Sequence, residues 1–125
     1  MRTALSILLV DDEPNLLLVL EDALRDTGHA VFTADSYESA LARLHDHEPD
    51  LVICDLRLGD RSGMEVLSAA RALPEPPRFV FLTAYGDVPQ AVRALKAGAF
   101  DFLLKPLGPE LLVHVVEQAA DAIAR

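Results

Sequence analysis

Hydrophobic and polar positions divide the chain into two alternating kinds of segment. Short, almost wholly apolar runs are typical of strands buried on both faces of a parallel sheet. These runs are residues 5–10, 30–33, 51–54, 79–82 and 100–104. A longer stretch with an apolar stripe follows each run and predicts a helix. The predicted helices are residues 14–27, 36–45, 63–73, 87–97 and 108–124.

The ends of these stretches carry the expected start and stop residues. Pro14 lies near the first helical position and Gly28 just past the end, while Asp87 is a candidate N-cap and Gly98 a stop. Strictly alternating strands and helices imply right-handed crossovers and a parallel sheet covered by helices on both faces. We therefore expect a doubly wound (βα)5, flavodoxin-like α/β sandwich of three layers with strand order 2-1-3-4-5.

Composition limits what such a fold could do. The 125 residues are 51% apolar and match the size of one compact domain, which we take to span residues 1–125. A lone cysteine, Cys54, excludes an internal disulfide, and no apolar run approaches the ~20 residues that span a bilayer, so we expect a cytoplasmic protein. A net charge of −9 disfavours direct binding to nucleic acid or to an anionic membrane.

Chemically active side chains follow four of the five predicted strands. Asp11 and Asp12 follow the first strand, and Asp55 follows the third. Thr83 follows the fourth strand and Lys105 the fifth. Ligands of open α/β sheets bind outside the carboxyl ends of the strands, so these five residues are expected to face one point.

Three carboxylates this close need a counter-charge, because like charges raise one another's pKa. A divalent cation together with Lys105 neutralises them, and a set of oxygen ligands favours Mg²⁺ over zinc. Such a cluster suits phosphoryl transfer. Asp55 stands centrally and is the expected nucleophile, forming an aspartyl phosphate that recruits the Thr83 hydroxyl as a donor.

Taken together, these motifs resemble the receiver domain of two-component response regulators. The resemblance runs through the whole chain. It is carried by Leu8-Leu9-Val10-Asp11-Asp12-Glu13, Asp55 with Gly63 eight residues on, Leu82-Thr83-Ala84, and Phe102-Leu103-Leu104-Lys105-Pro106. It implies a phosphorylation switch that catalyses only its own phosphorylation and dephosphorylation and is not a turnover enzyme.

The resemblance also implies roles for individual residues. Asp55 corresponds to the phosphoacceptor. Asp12, Asp55 and the backbone carbonyl of Arg57 correspond to the Mg²⁺ ligands, and Asp11 to the residue that binds the ion through water. Arg57 and Tyr85 occupy the variable positions that help to set the lifetime of the acyl phosphate.

Four further residues correspond to the part of the family's site that binds and senses the phosphoryl group. Thr83 and the backbone of Ala84 match the sensing pair, and Lys105 matches the lysine that contacts the phosphoryl group. Phe102 stands where the family has its aromatic switch residue. The bond before Pro106 is expected to be cis, although X-Pro bonds are cis in only ~5–6% of cases.

Partners follow from the same resemblance. The phosphoryl donor is expected to be a histidine kinase or a phosphotransfer protein. Phosphorylation is expected to change the face built by the fourth helix, fifth strand and fifth helix, which controls a homodimer or an output module. The segments 83–89 and 97–102 look most like receivers that precede transcription-factor modules.

The loop after Asp55 differs from that of many relatives. Gly59 in this loop predicts that the loop is flexible.

Other interpretations remain open at this point. A haloacid-dehalogenase-like phosphatase uses similar residues but has Asp-x-Asp at its nucleophile, where this chain has Arg57. The same fold could also act as a dimerisation module that needs no phosphorylation, whereas no Gly-x-Gly-x-x-Gly follows the first strand to suggest a nucleotide or flavin. Taken singly, the Asp pair could cap a helix, Thr83 could bond its own backbone, and Lys105 could be a solvated loop residue.

The last helix carries two apolar stripes. Leu111 belongs to the first stripe, together with residues 112, 115, 116, 119 and 123. The second begins with Val113, Ala120 and Ala124. A helix outside a sheet needs only one buried stripe, so the second is expected to form a contact patch with the fourth helix.

Overall fold

A five-stranded parallel sheet forms the centre of the molecule in a computed structural model that describes residues 4–84 and 87–123. Its strands are β1 (Ser6–Val10), β2 (Ala30–Ala34), β3 (Leu51–Asp55), β4 (Arg78–Thr83) and β5 (Asp101–Leu104). They lie in the order β2-β1-β3-β4-β5, which confirms the predicted topology.

Five α-helices connect and cover the strands. They are α1 (Pro14–Leu24), α2 (Tyr37–His47), α3 (Gly63–Arg71), α4 (Val88–Lys96) and α5 (Pro109–Ile123). The first helix is shorter than predicted because Arg25–Thr27 tighten into a 3-10 turn before Gly28, whose φ of 86° ends the segment. None of the helices in the described part of the chain combines the length and apolar content that crossing a bilayer demands.

Alternate residues of each central strand point into two separate core layers. On β3, for example, Val52 and Cys54 join the layer beneath α2, α3 and α4, whereas Leu51 and Ile53 join the layer beneath α1 and α5. Burial of both faces explains why the strands appear as continuous apolar runs. Cys54 is buried as a small apolar residue, and this burial raises the pKa of its thiol.

Strand register brings the polar strand ends to one edge of the sheet. Val10 pairs with Cys54, so that Asp11 and Asp55 follow paired residues of β1 and β3. Asp55 in turn pairs with Leu82, which places Thr83 beside Leu56 at the next strand end. Thr83 pairs with Leu104, directly before Lys105.

Two local features go beyond or against the sequence expectations. The segment after Asp55 is a short antiparallel hairpin, in which Arg57–Leu58 pairs with Arg61–Ser62 and Gly59 turns with a φ of 62°. The helical phase of α5 also differs from the prediction, because Ala120 is buried in the core and Leu111 is 48% exposed. Ala124 lies outside the described residues.

Candidate functional site

The two acidic residues after β1 have different surroundings. Asp11 is fully buried, and its Oδ1 accepts a hydrogen bond from the Glu13 N–H at 2.9 Å. Its Oδ2 lies 2.9 Å from Lys105 Nζ at an angle outside that of a hydrogen bond. Asp12 is exposed and accepts from the Gly59 N–H at 2.9 Å. Neither caps α1, because the N-cap position is Glu13 and no side chain bonds there.

Asp55 ends β3 with both carboxylate oxygens held. Oδ1 accepts from the Arg57 N–H at 3.1 Å, and Oδ2 accepts from Lys105 Nζ at 2.9 Å. The first residue of α3 packs against the same strand end, since a Cβ at Gly63 would overlap the Asp55 carbonyl oxygen. The backbone around Asp55 is therefore fixed by β3 on one side and by α3 on the other.

Lys105 crosses from β5 to the acidic cluster, as its long side chain predicts. Its Nζ lies 2.9 Å from Asp11 Oδ2, 2.9 Å from Asp55 Oδ2 and 3.4 Å from Glu13 Oε1. Burial alone would lower its pKa, but the contacts with Asp11 and Asp55 outweigh it and raise the pKa of the ammonium well above its usual range. Lys105 therefore stays charged at any physiological pH.

Asp11 differs from Lys105, because for its carboxyl the effect of burial outweighs the contact between the two side chains. Desolvation raises the pKa of this carboxyl, and the contact with Lys105 offsets only part of the effect. The ionised form is thus energetically costly in the folded protein, and a further positive charge beside it would relieve this cost.

Thr83 lies beside the cluster without bonding to it. Its buried Oγ1 donates to the Ala84 carbonyl at 3.1 Å, the local backbone bond considered above as its alternative role. The Thr83 carbonyl accepts from the Lys105 N–H at 2.9 Å, which ties the ends of β4 and β5 together. Phe102 is half-buried against the core layer beneath α4, and the bond between Lys105 and Pro106 is cis.

An ion pair that the sequence did not reveal closes one side of the site. Arg57 Nε donates to Asp87 Oδ2 at 2.9 Å and Nη2 donates to Oδ1 at 2.8 Å. Asp87 occupies the N-cap position of α4 but makes no side-chain cap bond, so its predicted capping role is wrong. The hydrogen bonds from Arg57 lower the pKa of the Asp87 carboxyl. Tyr85, the other predicted lifetime residue, lies outside the described residues.

These groups surround a cavity of about 320 Å³. It is lined by Asp12, Glu13, Asp55, Arg57, Gly59, Ala84, Asp87 and Lys105. A larger cleft of about 760 Å³ lies at the opposite end of the sheet between the proline-rich segment 74–77 and the end of α5, far from this chemistry. Cavity volume therefore does not identify the functional site, whereas the cluster of charged side chains does.

The acidic cluster fits a hard divalent cation. Asp11, Asp12, Glu13 and Asp55 each present an oxygen, and these oxygens all lie within 4.8 Å of one another. Asp11 Oδ2 is buried and contacts Lys105 Nζ without hydrogen-bond geometry, so an ion or its water beside it would add a further positive partner. Glu13 is the member that sequence reasoning missed, although it stands within the quoted Asp-Asp-Glu motif.

Comparison with known proteins agrees with this geometry. Residues 7–117 match the family profile described as the response regulator receiver domain. The chain is a receiver domain of this family. Receiver domains are the phosphorylation-dependent switches of two-component response regulators, and the predicted family and fold are confirmed.

The curated relatives that the chain matches are longer proteins. The chain is 36% identical over 118 residues to the transcriptional regulatory protein GlrR of Escherichia coli K12, covering 94% of this chain and 27% of GlrR. It is 35% identical over 119 residues to the acid tolerance regulatory protein ActR of Sinorhizobium medicae, covering 94% of this chain and 61% of ActR. The receiver thus spans about a quarter of GlrR and under two thirds of ActR.

Solved structures of related proteins contain the same backbone fold. NtrX from Brucella abortus superposes with a TM-score of 0.89 at 34% identity, covering 98% of this chain and 28% of that one. The separate receiver domain of NtrX gives a TM-score of 0.84 at 35% identity, covering 92% and 98% of the two chains.

Proposed function

We propose that Asp55 accepts a phosphoryl group from a histidine kinase or a phosphotransfer protein. The observation that carries this proposal is the position of Lys105 Nζ, 2.9 Å from Asp55 Oδ2, with three further carboxylates around the same point. Asp55 opens onto the cavity, whereas Asp11 is sealed beneath it. Of the two carboxylates that lie 2.9 Å from Lys105 Nζ, Asp55 is therefore the one that an incoming phosphorus atom can reach.

The transfer is a displacement at phosphorus. An Asp55 carboxylate oxygen forms the new P–O bond while the P–N bond to the donor histidine breaks, and the electron pair returns to the imidazole nitrogen. Lys105 holds its positive charge beside the oxygens on which negative charge increases. The Arg57 N–H fixes the other Asp55 oxygen, which orients the carboxylate.

We propose Mg²⁺ as the cofactor of this step. Asp12, Asp55 and the Arg57 backbone carbonyl would hold it, with Asp11 binding through water and Glu13 beside them. When bound, the ion neutralises charge on the transferred oxygens. Its presence also offsets the cost of keeping the buried Asp11 ionised.

The phosphoryl group then acts as a switch. Its added charge draws the Thr83 hydroxyl away from the Ala84 carbonyl, and Phe102 follows into the space behind it. The surface that responds is the α4-β5-α5 face, where Val92, Leu95, Leu104 and Leu111 are each more than a third exposed. Apolar side chains on such a surface suit a homodimer or an output module.

The proposal also includes the kind of protein to which this receiver belongs and the location of that protein in the cell. The GlrR relative is named as a transcriptional regulatory protein, and the region covering residues 1–125 would be the receiver part of a cytoplasmic regulator of that kind. The domain would bind no nucleic acid itself, given its net charge of −9. It would not turn over phosphate monoesters, because a phosphatase of this residue set needs an acid at position 57, where Arg57 is paired with Asp87.

Intact-mass measurement with acetyl phosphate and Mg²⁺ tests the proposal. We expect the protein to gain the mass of one phosphoryl group, and Asp55→Asn to gain none. Asp46→Asn, an exposed aspartate on α2, is the matched control and should behave as the original chain. Equal uptake by Asp55→Asn would refute the assignment of the phosphoacceptor.

Mg²⁺ binding is tested separately by isothermal titration calorimetry without a phosphoryl donor. Binding to the original chain should be lost or weakened at least tenfold in Asp12→Asn, since Mg²⁺ is held by few protein carboxylates. Asp46→Asn should bind as before. An unchanged affinity in Asp12→Asn would exclude the proposed ligand set.

A further inference from the structure

Helix α4 is held at both ends by arginines that belong to the preceding β3-α3 region. At its start, Arg57 makes two hydrogen bonds to Asp87, and at its end Arg71 Nη1 donates to the Ala97 carbonyl at 2.7 Å. Between these ends the helix buries only Ala91 and Ala94. Two alanine side chains bury little apolar area, so the two arginine contacts form a substantial part of what positions α4.

Only one of these arginines belongs to the phosphoacceptor cavity. Arg57 and Asp87 line the same cavity as Asp55 and Lys105, and the Arg57 N–H already bonds Asp55 Oδ1. The Arg57 side chain is 71% exposed, which leaves it room to turn, whereas that of Asp87 is only 8% exposed. Arg71 reaches α4 from the far end of α3 and does not line the cavity.

A phosphoryl group on Asp55 would compete with Asp87 for this guanidinium. It carries up to two negative charges and three strong acceptor oxygens, against one charge on the carboxylate. The guanidinium edge formed by Nε and Nη2 is occupied by Asp87, so Arg57 must turn to offer this edge to the phosphoryl oxygens. Once Arg57 leaves, Asp87 loses both hydrogen bonds that hold it beside the β3-α3 region, and nothing in the pair then fixes its position.

We propose that the Arg57–Asp87 pair is a latch on α4 that phosphorylation of Asp55 opens. Asp87 is the positioning residue that holds Arg57 in the unphosphorylated state, and Arg57 moves to the phosphoryl oxygens. The start of α4 is thereby released. This inference rests on the proposed role of Asp55, and it adds a second connection from the site to the α4-β5-α5 face beside that of Thr83 and Phe102.

Amide hydrogen exchange of α4, with and without acetyl phosphate and Mg²⁺, tests the latch. In the original chain we expect the amides of α4 to exchange about fivefold faster after phosphorylation, the change that losing one largely exposed ion pair produces. Arg57→Ala should show this faster exchange already without phosphate, and phosphorylation should increase it by less than in the original chain. Arg71→Ala, the matched control at the other end, should exchange faster in both states and still respond to phosphorylation.

The NMR chemical shift of Arg57 Nε reports directly on the ion pair. It would not change on phosphorylation if Arg57 only stabilised the fold. We expect this shift to change on phosphorylation, and in Asp87→Asn the unphosphorylated protein should have lost the shift typical of the ion pair. An equal response of α4 in Arg57→Ala and the original chain would overturn the latch. Absence of any phosphate gain by mass would instead overturn the phosphoacceptor proposal, so the two failures are distinguishable.

Discussion

Helices α3 and α4 are both nine residues long and both border the phosphoacceptor, yet they are held in different ways. Helix α3 begins with a capping box in which Ser62 and Glu65 bond each other's backbone, and it buries Val66, Leu67 and Ala70. Helix α4 begins without a side-chain cap and buries Ala91 and Ala94.

The difference separates a fixed support from an adjustable element. A fully buried valine or leucine contributes roughly 1.5–3 kcal/mol, whereas an alanine methyl contributes about 0.8 kcal/mol. Apolar packing therefore fixes α3, and with it the backbone of Asp55 against Gly63. In α4 polar contacts make up a larger share of the anchoring than in α3, and a change in charge can break them.

Truncation of a core side chain should separate the two helices most clearly. We expect Leu67→Ala in α3 to lower the free energy of unfolding by about 3 kcal/mol, because it leaves a cavity in a well-packed layer. Ala94→Gly in α4 should cost only about 1.5–2 kcal/mol, through helix propensity and the lost buried methyl. Urea denaturation measures both, and equal losses would contradict the proposed difference in anchoring.

Gly63→Ala should reveal how closely α3 supports the phosphoacceptor. The added methyl would collide with the Asp55 carbonyl oxygen, so we expect a loss of about 2 kcal/mol and slower phosphorylation by acetyl phosphate. Gly108→Ala is the control, since a Cβ there meets nothing within 4 Å. If both variants were phosphorylated at the original rate, the contact between α3 and Asp55 would have no functional importance.

The anchoring of each helix shows what the sequence can and cannot predict. Apolar runs and their spacing were sufficient for the sheet order, because burying both faces of each strand leaves few alternatives. The strand-end rule was sufficient to bring Asp11, Asp55 and Lys105 together, because parallel strands end at one edge. Thr83 was placed at this edge in the same way, but its bond to Ala84 depends on rotamer and backbone detail.

The partner of Asp87 could not be predicted in this way. An aspartate before a helix can bond the helix N–H groups or a distant cation, and the local sequence is the same in both cases. Arg57 is 30 residues away, and it reaches Asp87 only because the hairpin after β3 turns its side chain toward α4. The hairpin itself has strands of two residues, too short to show a period.

Removal of the other arginine should affect only one end of α4. We expect Arg71→Ala to cost about 0.5–1 kcal/mol, because one hydrogen bond from a charged group to the Ala97 carbonyl is lost at a partly exposed position. Faster amide exchange should be confined to the last turn of α4. Arg93→Ala, an exposed arginine on the same helix, serves as the control, and an equal effect there would show that the contact with Ala97 is unimportant.

Acid should affect the start of α4 while α3 stays in place, and this is the smallest expected effect. Hydrogen bonds lower the pKa of both carboxyls at the helix starts, that of Glu65 through Arg61 and that of Asp87 through Arg57. A lowered folded-state pKa means that each contact stabilises the fold above the unfolded value, about 3.9 for Asp and 4.3 for Glu, and that the contribution disappears as pH falls through the folded value. Between pH 6 and 3 we therefore expect the amide protection factors of α4, corrected for intrinsic exchange, to fall by a small factor, and those of α3 to hold because its buried side chains remain. Asp87→Asn should remove the pH response of α4 and Glu65→Gln should leave it unchanged; a parallel loss of protection in both helices would show that α3 depends on its polar contacts as much as α4 does.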